Sequence, residues 1–226
     1  MLDLKKIITG AIHRTVERLF LWTGSELKIV VPEYVLTTFI ADDLSEAFNV
    51  FNGHKILLER KTRYLVKESL THRFYSRLGQ KRAKQPKRFV SGLEKIRNGR
   101  VDIVVIKESG FLDQVVTLVE IKGVNPSKNK VIEDIKRLNA FCDLKNEVGQ
   151  STLESAYFVA LYQFDTIDKF ESKEINKIYK KILNDNNICP SNLYIEIIKN
   201  KVEIDELENE YIGSVCIVSV IVEIHR

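Results

Sequence analysis

The sequence predicts a mixed α/β domain in which helices lie on the faces of a central sheet. Short runs rich in Val and Ile, bounded by turn residues, indicate strands. Longer segments between them place apolar residues at helical spacing. The predicted order is α-α-β, a basic segment, and then β-β-α-β-α-β-β. With 226 residues and no internal repeat, the chain is expected to form a single domain, residues 1–226.

The predicted elements begin with two helices and one strand. Pro32 suits the first turn of a helix, and Asn52-Gly53 is a turn signal that follows it. The segment Lys61–Leu78 leaves two alternatives open, a continuation of the strand or a helix. The elements predicted here are the helices Leu4–Trp22 and Pro32–Phe51 and the strand Lys55–Arg60.

Most of the sheet is predicted from the second half of the chain. Ala156–Phe164 is almost continuously apolar, which indicates a central strand. Gly79–Arg88 has no apolar periodicity and is expected to be a loop, whereas Phe89–Arg97 is compatible with a short helix. The acidic segment Glu203–Glu210 separates the last two strands. The other predicted elements are the strands Val101–Ile106, Val115–Ile121, Leu193–Ile198 and Val215–Ile224 and the helices Lys130–Leu144 and Lys169–Leu183.

The composition is that of a soluble globular protein, with 44% hydrophobic and 29% charged residues. The three cysteines are far apart and form no C-x-x-C pair, which argues against a disulfide framework or a zinc site. The apolar run Val215–Val222 is too short to cross a bilayer. We therefore expect a cytoplasmic protein that does not associate with a membrane.

Positive charge is concentrated in one part of the chain, which we call the basic block, Glu59–Arg100. It holds fourteen Lys and Arg against three acidic residues, a net charge of +11, whereas the whole chain carries +4. Such a concentration favours a polyanionic partner over a merely solvated surface. Four cations of the following helix could either contact phosphates or be ordinary surface charges. For any single one of them the second interpretation is favoured. They are Lys128, Lys130, Lys136 and Arg137.

Charged residues interrupt the two predicted strands on either side of residue 110. Side chains alternate along a strand, so Asp102 shares a face with Val104, and Glu120 shares a face with Lys122. Two carboxylates and a lysine thus lie among residues that otherwise belong to a sheet core. Because buried charges are costly unless they are paired or bind a metal, the pattern indicates a functional site. The alternative is an edge hairpin whose charged side chains are solvated.

The spacing of Asp102 and Glu120-Ile121-Lys122 resembles the motif of the PD-(D/E)XK nuclease superfamily, with Val101 in place of the usual Pro. The resemblance implies a restriction-endonuclease-like core, a central mixed sheet flanked by helices, at about residues 32–164. It implies a Mg²⁺-dependent endonuclease that hydrolyses phosphodiester bonds of nucleic acid, with DNA favoured and a restriction or other defence system as the setting. The resemblance leaves open whether the protein forms a homodimer.

The resemblance also assigns roles to the site residues. Asp102 and Glu120 would bind Mg²⁺, for which Mn²⁺ can substitute, together with the backbone carbonyl of Ile121. Lys122 would orient or deprotonate the attacking water and stabilise the charge that develops on the phosphate. Glu33, on the helix before the first strand, is the candidate for a further acidic ligand. The equally favoured alternative for Glu33 is a favourable interaction with the helix dipole.

Two other functional classes compete with an endonuclease. One is a nucleic-acid-binding module that keeps the nuclease fold without cleaving. The other is an assembly subunit in which the basic block binds an acidic partner. The presence of all three residues, Asp102, Glu120 and Lys122, favours the nuclease, because a binding module does not need them.

Six cations of the basic block are the candidate nucleic-acid contacts: Lys81, Arg82, Lys84, Lys87, Arg88 and Arg100. Replacing the first five by Glu should weaken binding to every sequence tested, because each lost phosphate contact removes counterion release. The slope of log Kd against log salt concentration should become shallower by about 0.9 for each lost contact with duplex DNA. Unchanged affinity and slope would show that the block is a solvated surface.

Overall fold

The computed structural model describes residues 3–23, 33–49, 53–69, 96, 99–108, 113–146, 149–164, 172–188, 191–205 and 210–225. Its helices are α1 (Leu4–Thr23), α2 (Glu33–Asn49), α3 (Thr62–Glu68), α4 (Lys128–Cys142) and α5 (Ser172–Asp185). Its strands are β1 (His54–Lys61), β2 (Arg100–Lys107), β3 (Gln114–Val124), β4 (Lys145–Asn146), β5 (Gly149–Gln150), β6 (Ser155–Phe164), β7 (Ser191–Asp205) and β8 (Glu210–His225).

Six strands form one mixed sheet in the order β1-β2-β3-β6-β8-β7. Strands β3 and β6 are parallel, and all other neighbours in this sheet are antiparallel. A parallel pair needs a crossover, which α4 and the short β4–β5 hairpin supply. The prediction of a mixed α/β domain is confirmed, and so is the central position of β6, between β3 and β8.

Helices cover both faces of the sheet, which explains the continuous Val and Ile runs. Every side chain from Val101 to Ile106 is buried, as expected for strands covered on both faces. One core contains residues of α4 and α5, such as Phe141 and Tyr179, and the opposite core contains residues of α1 and α2, such as Ile12 and Leu36. No helix among the described residues is long and apolar enough to cross a membrane.

The open alternative after β1 is resolved in favour of a helix, since α3 begins at Thr62. The last two strands are longer than predicted. Strand β7 extends to Asp205 and β8 begins at Glu210, so both contain parts of the acidic segment. The basic loop Gly79–Arg88 lies outside the described residues, as does the predicted helix Phe89–Arg97 apart from Ile96.

A local backbone irregularity lies in β1 beside the carboxylate of the motif. Leu58 pairs with Ile103 and Arg60 with Val101, so Glu59 lies beside Asp102. The φ angle of Glu59 is 51°, in the left-handed region, which costs a residue with a Cβ roughly 1–2 kcal/mol. Backbone strain of this kind is concentrated at functional sites.

Replacing Glu59 by Gly should raise the free energy of unfolding by roughly 1 kcal/mol, because relief of the left-handed strain exceeds the entropic cost of Gly. Urea unfolding curves measure the difference. Lys61→Gly is the matched control, since Lys61 is also exposed but has a φ of −61°. Because Lys61 is the N-cap of α3, where Gly is well tolerated, the control should change by at most about a few tenths of a kcal/mol. Equal changes in both variants would contradict the strain at Glu59.

Candidate active site

Strands β2 and β3 bring the two carboxylates of the motif together. Ile103 pairs with Val119, and the same antiparallel register places Asp102 opposite Glu120. Both side chains are buried, with 7% of Asp102 and 3% of Glu120 exposed. The structure therefore places the two carboxylates side by side on one face of the sheet, under α4.

Asp102 is held by the backbone of the neighbouring strand. Its Oδ2 accepts a hydrogen bond of 2.6 Å from the backbone N–H of Ile121. Burial raises the pKa of the Asp102 carboxyl to about 6, although this hydrogen bond and the charge of Lys122 oppose the shift. Asp102 is thus oriented by β3 and binds a proton more tightly than an exposed aspartate does.

Glu120 has one paired and one unpaired oxygen. Its Oε1 accepts hydrogen bonds from Nη2 of Arg137, at 2.5 Å, and from Nζ of Lys122, at 3.3 Å. Its Oε2 is buried and has no hydrogen-bond partner among the described residues. Burial, and then the charge of Asp102, raise the pKa of Glu120 to about 8 against the opposing charges of Arg137 and Lys122. An unpaired buried acceptor carries a desolvation cost that a bound cation would offset.

Lys122 lies at the centre of the cluster, and 13% of its side chain is exposed. Its Nζ donates a hydrogen bond of 2.9 Å to the carbonyl oxygen of Ile121. The same atom is 3.3 Å from Oδ2 of Asp134 and 3.7 Å from Oε1 of Glu33. Burial lowers the pKa of Lys122, but the surrounding carboxylates, Glu120 first, raise it above its usual range. Lys122 is therefore a positioned cation.

Helix α2 contributes Glu33 to the rim of the cluster. Glu33 is the first residue of α2, and its Oε2 accepts a hydrogen bond of 3.4 Å from the backbone N–H of Gly123. Its side chain remains about half exposed. The structure thus brings Glu33 to the same end of β3 as Lys122, on the solvent side of the buried carboxylates.

Helix α4 contributes an ion pair that the sequence interpretation missed. Arg137 donates from Nη2 to Oδ1 of Asp134, at 2.7 Å, as well as to Glu120. Only 13% of the Arg137 side chain and 9% of the Asp134 side chain are exposed. The favoured interpretation of Arg137 as an ordinary surface charge is wrong. The available signal was Asp134, an acidic residue on the apolar stripe of α4 that contains Val131 and Leu138.

The cluster as a whole has more negative than positive groups. Four carboxylates surround two cations, so the fully ionised cluster carries a charge of −2, which one divalent cation would balance. The four carboxylates belong to Glu33, Asp102, Glu120 and Asp134, and the cations to Lys122 and Arg137.

The pair of carboxylates supplies only part of the ligands that a divalent cation needs. Within the described ranges, no three or more His, Cys, Asp or Glu side chains are arranged to hold a metal ion. Mg²⁺, however, commonly uses one or two carboxylates and completes its shell with water and substrate phosphates. The pair of Asp102 and Glu120, with its unpaired Oε2, meets that requirement.

Of the predicted nucleic-acid contacts, only Arg100 is described. It is the first residue of β2, it is exposed, and its Nη1 lies 3.8 Å from Oε2 of Glu59. Lys81, Arg82, Lys84, Lys87 and Arg88 lie outside the described residues. Comparison of the chain with family models, curated proteins and solved structures gave no match.

The raised pKa of Glu120 predicts how stability depends on pH. Between the usual carboxyl pKa of 4.5 and the folded-state pKa of about 8, the folded protein binds more protons than the unfolded chain. The free energy of unfolding of the metal-free protein should therefore fall as the pH rises through this range. Urea titrations in EDTA at successive pH values measure the decline.

Glu120→Gln should make this decline shallower, because the amide does not titrate. Glu154→Gln, at an exposed position, controls for the change of charge. An equal decline in wild type and Glu120→Gln would refute the raised pKa.

Proposed function

We propose that this protein is a metal-dependent phosphodiesterase that cleaves nucleic acid, with DNA favoured, on a restriction-endonuclease-like core. The observation that carries the proposal is the buried pair of Asp102 and Glu120, with the unpaired Oε2 of Glu120, beside Lys122. Such a pair is costly to bury without a cation.

The element order supports the proposed core. Helix α2 precedes β1, the antiparallel strands β2 and β3 carry the motif, and α4 leads to the parallel strand β6. This is the α-β-β-β-α-β order of the resembled superfamily, with the short helix α3 and the β4–β5 hairpin added. Glu33 at the start of α2 occupies the place from which a further acidic ligand is expected.

Mg²⁺, with Mn²⁺ as a substitute, would be held by Asp102 and Glu120 and would supply charge neutralisation and activation of a water molecule. Lys122 would stabilise the negative charge that develops on the phosphate and position the attacking water. The Nζ of Lys122 donates a hydrogen bond to the carbonyl oxygen of Ile121. Because a carbonyl oxygen has two lone pairs, the oxygen of Ile121 could also coordinate the metal ion while it accepts the hydrogen bond from Lys122.

A second candidate function is nucleic-acid binding without cleavage. The ion pair between Arg137 and Glu120 favours it, because it compensates part of the charge of the site from within the protein. The two candidates differ in a single measurable property, metal-dependent cleavage. Plasmid, linear and single-stranded DNA and RNA, each incubated with Mg²⁺, Mn²⁺ or EDTA, provide the test.

Lys122→Ala separates the two candidates most sharply. Cleavage should fall by about 10²–10⁴-fold, the usual contribution of a positioned acid–base group, while binding of nucleic acid in EDTA stays nearly unchanged. The change should lower the free energy of unfolding, because Glu120 and Asp134 then share only Arg137. The sheet should nevertheless remain folded, because Val119 and Ile121 pack into the opposite core. Lys130→Ala, an exposed change on α4, is the control and should cleave like wild type.

Full activity of Lys122→Ala would place the catalytic group elsewhere in the chain. A wild-type protein that binds all four substrates but cleaves none with either metal would favour the binding module. Unfolding curves of each variant exclude loss of folding as the cause of lost cleavage.

A further inference from the structure

Helix α5 presents a row of lysines that the proposed active site does not use. We call it the α5 lysine face, and its members are Lys173, Lys177, Lys180 and Lys181. Their spacing of four, three and one residues places them on one side of the helix. All four are exposed, and none forms an ion pair with another residue that the structure describes.

The opposite side of α5 is firmly held by the sheet. Ile175, Tyr179 and Ile182 are buried in the core that also contains α4, and the Tyr179 hydroxyl lies 2.9 Å from that of Tyr162 on β6. The helix is thus fixed with its lysines directed to solvent, over the same sheet face as α4. Asn176, Asn184 and Asp185 border the lysines on the same side of the helix and form an open surface with them.

The direction of α5 places the start of this face at the catalytic end of the sheet. Helix α5 begins after the end of β6 and leads to Ser191, which pairs with Ile224. Ile224 also pairs with Ala156, near the start of β6, so α5 runs antiparallel to β6. Lys122 pairs with Ala160, in the second half of β6. The N-terminal turns of α5 therefore lie at the end of the sheet that holds Lys122.

The dimensions of the lysine face match those of a phosphate backbone. From Lys173 to Lys181 the helix rises by about 12 Å, the length of roughly three to four nucleotides of one strand at about 3.4 Å each. An anionic membrane is a poorer fit, because a membrane-binding helix needs an apolar face to insert. The apolar side of α5 is already buried, with Ile178 as its exposed exception.

We propose that the α5 lysine face binds the phosphate backbone of a nucleic acid and guides it along the sheet face toward the end that holds Lys122. The inference takes the identity of the polyanion from the proposed function. It does not depend on cleavage, because binding is measurable without a metal. It adds a second positive surface, separate in sequence from the basic block.

The test is binding of a fluorescent 30-nucleotide single strand and a 30-base-pair duplex in EDTA, at several NaCl concentrations. Replacing all four lysines by Gln should weaken binding at low salt by about tenfold or more. The salt slope for the duplex should become shallower by about 0.9 for each lysine that contacts a phosphate, and so by up to about 3.6.

A matched pair of double variants controls for net charge. Lys177→Gln/Lys180→Gln removes two charges from the face, and Lys6→Gln/Lys107→Gln removes two exposed charges elsewhere. Lys6 lies on α1, over the opposite sheet face, and Lys107 pairs with Gln114 at the other end of the sheet. The first double variant should bind nucleic acid more weakly and with a shallower dependence of log Kd on log salt concentration. Both changes should be much smaller in the control.

Equal losses in both double variants, or unchanged binding in the quadruple variant, would overturn the proposal and leave the proposed nuclease activity standing. Binding by wild type only to vesicles with anionic lipid, and not to either nucleic acid, would also overturn it. If the protein binds nucleic acid through α5 but does not cleave it, that result supports binding by the α5 lysine face and contradicts the proposed nuclease activity. The two can therefore be told apart.

Discussion

The structure depends on how three buried carboxylates are compensated between the sheet and α4. Burying an ion costs several kcal/mol even after relaxation, and close pairing recovers that cost only when the hydrogen bonds are complete. Asp102, Glu120 and Asp134 are each less than a tenth exposed and share two cations, Lys122 and Arg137. The position of α4 over β3 is therefore fixed by charge as well as by apolar packing, because moving α4 away would leave Glu120 without Arg137 and Asp134 without Lys122.

This arrangement is a poor solution for stability alone. Replacing a buried ion network by apolar residues of similar volume is often neutral or stabilising, and both faces of β2 and β3 are otherwise filled by Val, Ile and Leu. The unpaired Oε2 of Glu120 and the left-handed backbone of Glu59 add further cost at the same place. Costs concentrated at one end of two strands are characteristic of a site whose geometry serves binding or catalysis.

The sequence predicted the strands and helices well because both faces of the sheet are covered, so that apolar runs and helical stripes are unambiguous. It also placed Asp102, Glu120 and Lys122 in one cluster, since pairing of two adjacent strands follows from a short connection, whereas for Glu33 it left two interpretations equally open. For Arg137 the sequence offered only the indirect signal of Asp134 on the apolar stripe, because whether a helical cation is solvated or buried depends on the angle at which α4 crosses the sheet. Strands β7 and β8 exceeded their predicted lengths because pairing between them, rather than apolar alternation, holds the outer residues.

The charges of the site and of its surroundings have opposite signs, and a polyanionic substrate needs both. When its carboxylates are fully ionised, as metal binding requires, the cluster has a net charge of −2 and repels phosphate at short range. A bound divalent cation would cancel that repulsion only locally. Attraction at longer range has to come from exposed cations, which act over about 8–10 Å at moderate salt. The lysines of α5 carry +4 over the same sheet face as α4 and have no ion-pair partner among the described residues. Exposed lysines are too strongly screened to stabilise the fold, but they can steer a polyanion toward a site whose own charge would otherwise exclude it.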